Sequence, residues 1–186
     1  VDAFHWGLIP SWAKDRKIAS RMINARAETL AEKPAFKGLL ARKRCIVPMD
    51  GFYEWQPGSS DGPLNAKGQP LKQPMNIHRG DGELLAVAGL WTAWKDPDDP
   101  DGRFLHSATI ITTAANATIR PVHDRMPALL TADHWATWLD PENQDLDQLT
   151  GLLDGGPPDL LTMEPVSTDV NNVRNNRPEL IEPVSR

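Results

Sequence analysis

Residues 44–55 read Arg-Cys-Ile-Val-Pro-Met-Asp-Gly-Phe-Tyr-Glu-Trp, and no other stretch limits the fold as much. The apolar run 45–47 reads as a short buried strand. Pro48 and Gly51 punctuate it, because glycine takes backbone angles that other residues avoid. Beyond the break, Phe52-Tyr53-Glu54-Trp55 sets one carboxylate among three aromatic rings. Desolvation disfavours the charged form of an acid, so the pKa of Glu54 is expected to rise. A glutamate in that state donates and accepts protons near neutral pH. The alternative at this point is a strand end whose glutamate points to solvent.

The rest of the chain alternates strands with isolated short helices. Residues 4–12 read as a strand ending in a Pro-Ser-Trp turn, where Trp12 beside Pro10 offers a flat face to a base or a ring to the core. Residues 14–21 read as a basic loop. In residues 22–29, Ile23, Ala25 and Ala27 alternate with Asn24, Arg26 and Glu28, which puts an amide, a guanidinium and a carboxylate on one face of an extended segment. That row either positions a polar ligand or is an exposed strand surface. Residues 34–41 suit a helix with proline in its first turn. Residues 56–73 read as a long loop or loose hairpin. Two strands, 74–79 and 83–94, follow with a turn at Gly80-Asp81-Gly82 between them, then an acidic loop over 95–103 that lacks EF-hand spacing. Residues 104–113 form a β-branched strand. Helices are expected over 131–139, capped by Thr131, and 145–153, capped by Asp145 and ended by Gly155-Gly156. A last strand covers 160–166. His123 sits between Pro121 and Pro127 with Arg125 two residues on. It reads either as a general acid or base beside a phosphate-binding arginine or as a surface histidine. The order reads as α+β with a mainly antiparallel sheet.

At 186 residues and 40% hydrophobic content the chain suits one soluble domain. It holds no run long enough to span a membrane and no signal-peptide pattern. One cysteine, Cys45, excludes an internal disulfide and a multi-cysteine zinc site, and fits a cytoplasmic protein. The five histidines show no short ligand spacing, so neither metal nor cofactor is expected. The net charge of −5 argues against coating nucleic acid by bulk electrostatics. Residues 1–44 nevertheless carry ten Lys and Arg against four Asp and Glu, and the remainder ten against twenty-one. That bias points to a local anion-binding face.

Taken in order, Trp6-Gly7-Leu8-Ile9-Pro10-Ser11-Trp12, Asn24-Ala25-Arg26-Ala27-Glu28-Thr29, residues 44–55 and His123-Asp124-Arg125-Met126-Pro127 closely resemble the SOS-response-associated peptidase family, as does the closing Leu180-Ile181-Glu182-Pro183-Val184. The expected fold is one α+β domain over residues 1–186, a mainly antiparallel, curved, barrel-like sheet with a few short flanking helices. The resemblance implies recognition of abasic sites in single-stranded DNA and covalent capture. The α-amine of an N-terminal cysteine condenses with the ring-opened sugar aldehyde, and its thiol closes the imine to a thiazolidine. In that scheme Asn24 orients the reacting groups, Glu54 shuttles protons, and His123 assists sugar opening or β-elimination. Arg26, Arg125 and Thr112 hold phosphates, while Trp12, Trp55 and Pro10 stack on bases or wedge the strand. An α-amine, with a reference pKa near ~8, is partly unprotonated at neutral pH, as imine chemistry requires.

The family's Cys-Gly-Arg opening is not found before Val1, which is not an initiator methionine. The expectation is of a domain lacking its N-terminal segment. Cys45 matches a cysteine inside the strand leading to Glu54, where a buried, inert thiol is expected. The chain as it stands should not form a thiazolidine, whereas a protein carrying the cysteine should. Two other readings stand beside this one: a cysteine peptidase acting on its own leader, and a non-catalytic single-stranded DNA-binding module. The expected partner is single-stranded DNA containing abasic sites, with no membrane and a monomeric state, since a strand-binding cleft needs open access.

Overall fold

The computed structural model describes residues 2–99 and 101–184. Val1 and Pro100 of the acidic loop lie outside them. Along the chain run β1 (His5–Trp6), β2 (Asn24–Arg26), α1 (Pro34–Arg42), β3 (Arg44–Met49), β4 (Gly51–Gln56), β5 (Gln73–Arg79), β6 (Leu85–Trp94), β7 (Leu105–Ala114), β8 (Arg125–Pro127), α2 (Ala132–Leu139), α3 (Leu146–Gly151) and β9 (Leu161–Pro165). The chain is α+β, and it gathers into two compact units. The first comprises residues up to 48 with 86–114 and 127–156; the second comprises 49–85, 115–126 and 157 onward.

The sheet of the first unit runs β1-β7-β6-β3, with β2 also on β7. β6 and β7 are antiparallel. The short β1 and β2 join β7 in parallel, at Ser107–Ala108 and Ile110–Thr112, so this sheet is mixed. The expected strand over residues 4–12 is therefore two residues long, because Gly7 turns the chain away at φ 112°. A Cβ at Gly7 would lie 2.6 Å from the Ala19 carbonyl oxygen, which leaves room for glycine alone. Residues 16–21, read as loop, form a 3-10 turn capped by Asp15.

One face of this sheet packs on α1, α2 and α3 around the fully buried Trp138, with Leu8, Leu30, Leu40, Leu90, Ile111 and Leu149. Arg44 locks the helix ends. Its Nε donates to the Trp138 carbonyl at 2.5 Å, Nη1 to that of Leu40 at 2.6 Å, and Nη2 to that of Asp140. One buried guanidinium thus satisfies the Leu40 and Trp138 carbonyls that the ends of two helices leave orphaned, and shares that of Asp140 with the Asn143 N–H. Asp145 caps α3 as expected, accepting from the N–H groups of Asp147 and Gln148, but α3 ends at Gly151 rather than at Gly155-Gly156. Thr131 occupies the cap position of α2 without a side-chain cap bond; its hydroxyl meets His134 Nδ1 at 3.3 Å instead.

The second unit is built on the antiparallel sheet β4-β5-β9. Both edges of β5 are occupied by β4 and β9, so β5 and β6 do not pair across Gly80-Asp81-Gly82. The expected loop after Trp55 is a closed hairpin with a bridge between Leu64 and Pro70. At its base Gly58 packs so closely that a Cβ would clash with the Leu71 carbonyl oxygen.

Candidate functional site

In the first unit the expected polar row is real but shorter. Ala25 is buried opposite Ile111, so Asn24 and Arg26 on either side of it are exposed. Arg26 stands in register with Thr112, which shares its face. The strand ends there: residues 27–29 tighten into a 3-10 turn, which takes Glu28 out of the row.

The Pro10–Trp12 turn is held from beneath. The Ile9 N–H donates to Ser107 Oγ at 2.8 Å, the Ala13 N–H to the Pro10 carbonyl at 2.9 Å, and Trp94 Nε1 to the Ala13 carbonyl at 2.8 Å. Pro10 itself is buried, so in this structure its ring cannot wedge or stack on a base; it shapes the turn instead. Trp12 is 67% exposed, and Trp6, tied by Nε1 to the Ile23 carbonyl at 3.0 Å, is exposed as well.

In the second unit Glu54 lies half-buried on β4, opposite Met75. Burial holds its carboxyl above the ordinary range. The charge of His123 opposes that rise, as do the Trp55 N–H and Lys72, while Asp124 adds to it. The three-ring cage is therefore only partly the cause: strand alternation sends Tyr53 and Trp55 to the opposite face, and only Phe52 shares the face of Glu54. On that opposite face Trp55 Nε1 donates to Asn171 Oδ1 at 2.7 Å.

His123 directly follows a hydrogen-bonded turn over residues 117–122. Its N–H and that of Val122 both donate to the Ile119 carbonyl, and Asn116 Oδ1 accepts from Thr118 and Ile119. The Arg125 N–H donates to His123 Nδ1 at 2.9 Å, which makes Nε2 the protonated nitrogen of the neutral ring. The Arg125 carbonyl at 3.0 Å and Asp124 Oδ1 at 3.3 Å also surround Nδ1. The charged ring has acceptors there, so both protonation states find partners.

Cys45 is half-buried against Gly89, and burial pushes its thiol up to about 11. Only about one part in 10⁴ is thiolate at neutral pH. The expected burial is only partial, and the raised pKa disfavours the thiolate. Lys72, Asn116 and Asn171 were not among the expected site residues, and Asp124 stood in the His123 motif without a role of its own; Lys72 and Asp124 bear on Glu54 by charge, Asn116 holds the turn before His123, and Asn171 accepts from Trp55. Among the described residues no helix is long and apolar enough to cross a membrane, and no His, Cys, Asp or Glu cluster is arranged to hold a metal ion.

A family profile described as SOS response associated peptidase (SRAP) matches residues 1–173. The chain is 48% identical over 177 residues to "Abasic site processing protein YoqW" of Bacillus subtilis, covering 95% of this chain and 74% of that protein. It is 38% identical over 190 residues to "Abasic site processing protein HMCES" of Xenopus tropicalis, covering 95% and 55%. A crystal structure of a protein from Bacteroides thetaiotaomicron superposes with a TM-score of 0.83 at 29% identity, over 98% of this chain and 76% of that one. Motif order, fold and whole-chain similarity lead to one conclusion: the chain belongs to the SOS response associated peptidase (SRAP) family.

Proposed function

We propose that this protein recognises abasic sites in single-stranded DNA and captures them covalently, with Glu54 and His123 moving the protons. The names of its relatives supply the substrate class. The observation that carries the reading is the desolvated Glu54 carboxyl, with His123 near enough for its charge to act on it.

The chemistry follows from what each group can do. The ring-opened sugar presents an aldehyde. An α-amine adds to it to give a carbinolamine, and loss of water to the imine needs a proton on the departing hydroxyl. A glutamate that keeps its proton above the usual range supplies it. Addition of a thiol to the imine carbon, with its proton passing to nitrogen, closes a thiazolidine. Amine and thiol belong to an N-terminal cysteine in this reading; Cys45 has neither a free α-amine nor an accessible thiolate. Asn24 orients the aldehyde, Arg26, Arg125 and Thr112 take flanking phosphates, and Trp12 and Trp55 stack on bases. His123, with partners for both of its charge states, serves sugar opening and the β-elimination of a lyase reaction. The same groups would serve a single self-processing cleavage that exposes the cysteine.

The test is Glu54→Gln in protein bearing the N-terminal cysteine, followed in single turnover. Adduct formation should slow about 100-fold with DNA affinity retained, because shape is preserved and the proton donor lost. An unchanged rate removes Glu54 from the mechanism.

A further inference from the structure

A cavity of about 460 Å³ opens in the second unit on the face of the β4-β5-β9 sheet away from Glu54. Register defines its wall. Tyr53, Asn76 and Glu164 stand opposite one another on the three strands and share that face, whereas Glu54, Met75 and Pro165 share the other.

Three features of this wall are unexplained by the sheet itself. Asn76 is 7% exposed, yet its side-chain amide makes no hydrogen bond to any described residue. Its Oδ1 lies towards the gap above Gly51, 3.2 Å from where a Gly51 Cβ would sit. The amide is not fully buried, so it reaches solvent at the cavity wall, where a ligand can replace water. Glu164 is the second feature. Its Oε2 meets His78 Nε2 at 3.1 Å, while its other oxygen has no partner among the described residues. His78 is in turn steadied by the Arg79 carbonyl, 2.8 Å from Nδ1. The third is charge. Asp50 and Glu83 join Glu164 around the opening. The basic Arg79 is already engaged with Asp81, Nε to Oδ1 at 2.9 Å and Nη2 to Oδ2 at 2.5 Å.

The cavity therefore offers a carboxylate oxygen, an amide oxygen and an aromatic wall, with surplus negative charge around them. A flat cation with several N–H donors matches that set, and a guanidinium has five in a planar fork that also stacks on rings. An ammonium is a compact point charge with no face to lay against Tyr53. We infer that this cavity binds the arginine side chain of a partner polypeptide, with Glu164 and Asn76 accepting from the guanidinium and Tyr53 flanking it. The cavity lies on the face of the sheet away from Glu54, the face that also carries Trp55.

The test is an amide NMR titration of the ¹⁵N-labelled 186-residue protein with capped arginine, beside capped citrulline, its neutral isostere, and capped lysine. Arginine should shift the Asn76 side-chain amide and Gly51 saturably, citrulline should not, and lysine should bind more weakly. Glu164→Gln should weaken arginine about tenfold. Asn76→Leu should abolish the response while melting no lower than wild type, since it removes an amide that no protein group satisfies. The proposal is overturned by no saturable shift up to about 10 mM arginine, by equal response to citrulline or lysine, or by full affinity in Glu164→Gln.

Discussion

Glu54 and His123 are best understood through their neighbours. The raised carboxyl of Glu54 is a balance in which burial leads and the charge of His123 comes second. Two weaker neighbours give that balance an experimental handle. Lys72 lowers the Glu54 pKa, so Lys72→Met should raise it; Asp124 raises it, so Asp124→Asn should lower it. If protonated Glu54 is the proton donor, capture slows as pH rises through its pKa. That decline should move to higher pH in Lys72→Met and to lower pH in Asp124→Asn. Pre-steady-state rates across pH 4–9 would read both, and shifts of the same sign would sink the assignment. The same carboxyl bears on stability. Its folded pKa lies above the unfolded one, so protonation favours the fold. Its contribution is fully present below the ordinary glutamate range and is lost as pH rises through the raised value. Glu54→Gln should accordingly melt a few degrees higher than wild type near pH 8 and no higher near pH 4, a difference of about 2 °C for partial burial.

Among the elements, the junction of α1, α2 and β3 hangs on one side chain. Arg44 fills three backbone carbonyls and lies over the Trp138 ring at 5.8 Å, while Trp138 Nε1 donates to the Cys45 carbonyl at 2.9 Å. Arg44→Met keeps much of the volume but strands the Leu40 and Trp138 carbonyls. It should cost about 3 kcal/mol in urea unfolding, with the slope unchanged. A loss under about 1 kcal/mol would mean that water replaces the guanidinium. Elements of this kind mark what the sequence could and could not reveal. Helix α1, β7 and the Asp145 cap were legible because their patterns are local: proline at a first turn, a β-branched run, an acceptor before an apolar stretch. Pairing was not. That β5 lies between β4 and β9, or that β1 and β2 enter β7 in parallel, depends on partners dozens of residues away. The site shows the same division. Glu54 and His123 stood out by their immediate settings, whereas Asn171 reaches Trp55 across 116 residues of sequence and nothing in the sequence around it says so. The desolvation of Glu54 was anticipated, but from rings that strand alternation places mostly on the other face.

At the scale of the whole molecule, charge behaves differently from its distribution along the chain. The basic bias of residues 1–44 is offset inside its own unit, which holds twelve Lys and Arg against fourteen Asp and Glu; the second unit holds eight against eleven. Neither unit is cationic in net charge. DNA affinity must come from a few placed cations and aromatic faces rather than from bulk attraction. The salt dependence should be correspondingly shallow. Two phosphate contacts, from Arg26 and Arg125, give a slope of log K against log[salt] near about −1.4, and Arg26→Ala or Arg125→Ala should each flatten it by about 0.7. Slopes unaltered by either change would remove that arginine from the DNA face. Trp12→Ala should instead weaken binding by about 1–3 kcal/mol with the salt slope intact, as loss of a stacking platform does.

The most direct test of covalent capture is a denaturing gel. Single-stranded DNA with one abasic site is incubated with protein bearing the N-terminal cysteine, with the same protein carrying Glu54→Gln, and with the 186-residue chain whose one thiol is Cys45. A denaturant-resistant band for the first, delayed in the second and absent from the third, is what the desolvated glutamate and the inert thiol together predict. A band of equal strength from the 186-residue chain would contradict the account, since capture would then need neither the N-terminal cysteine nor an unreactive Cys45. No band from any of the three, with binding retained, would leave a DNA-binding module without the chemistry.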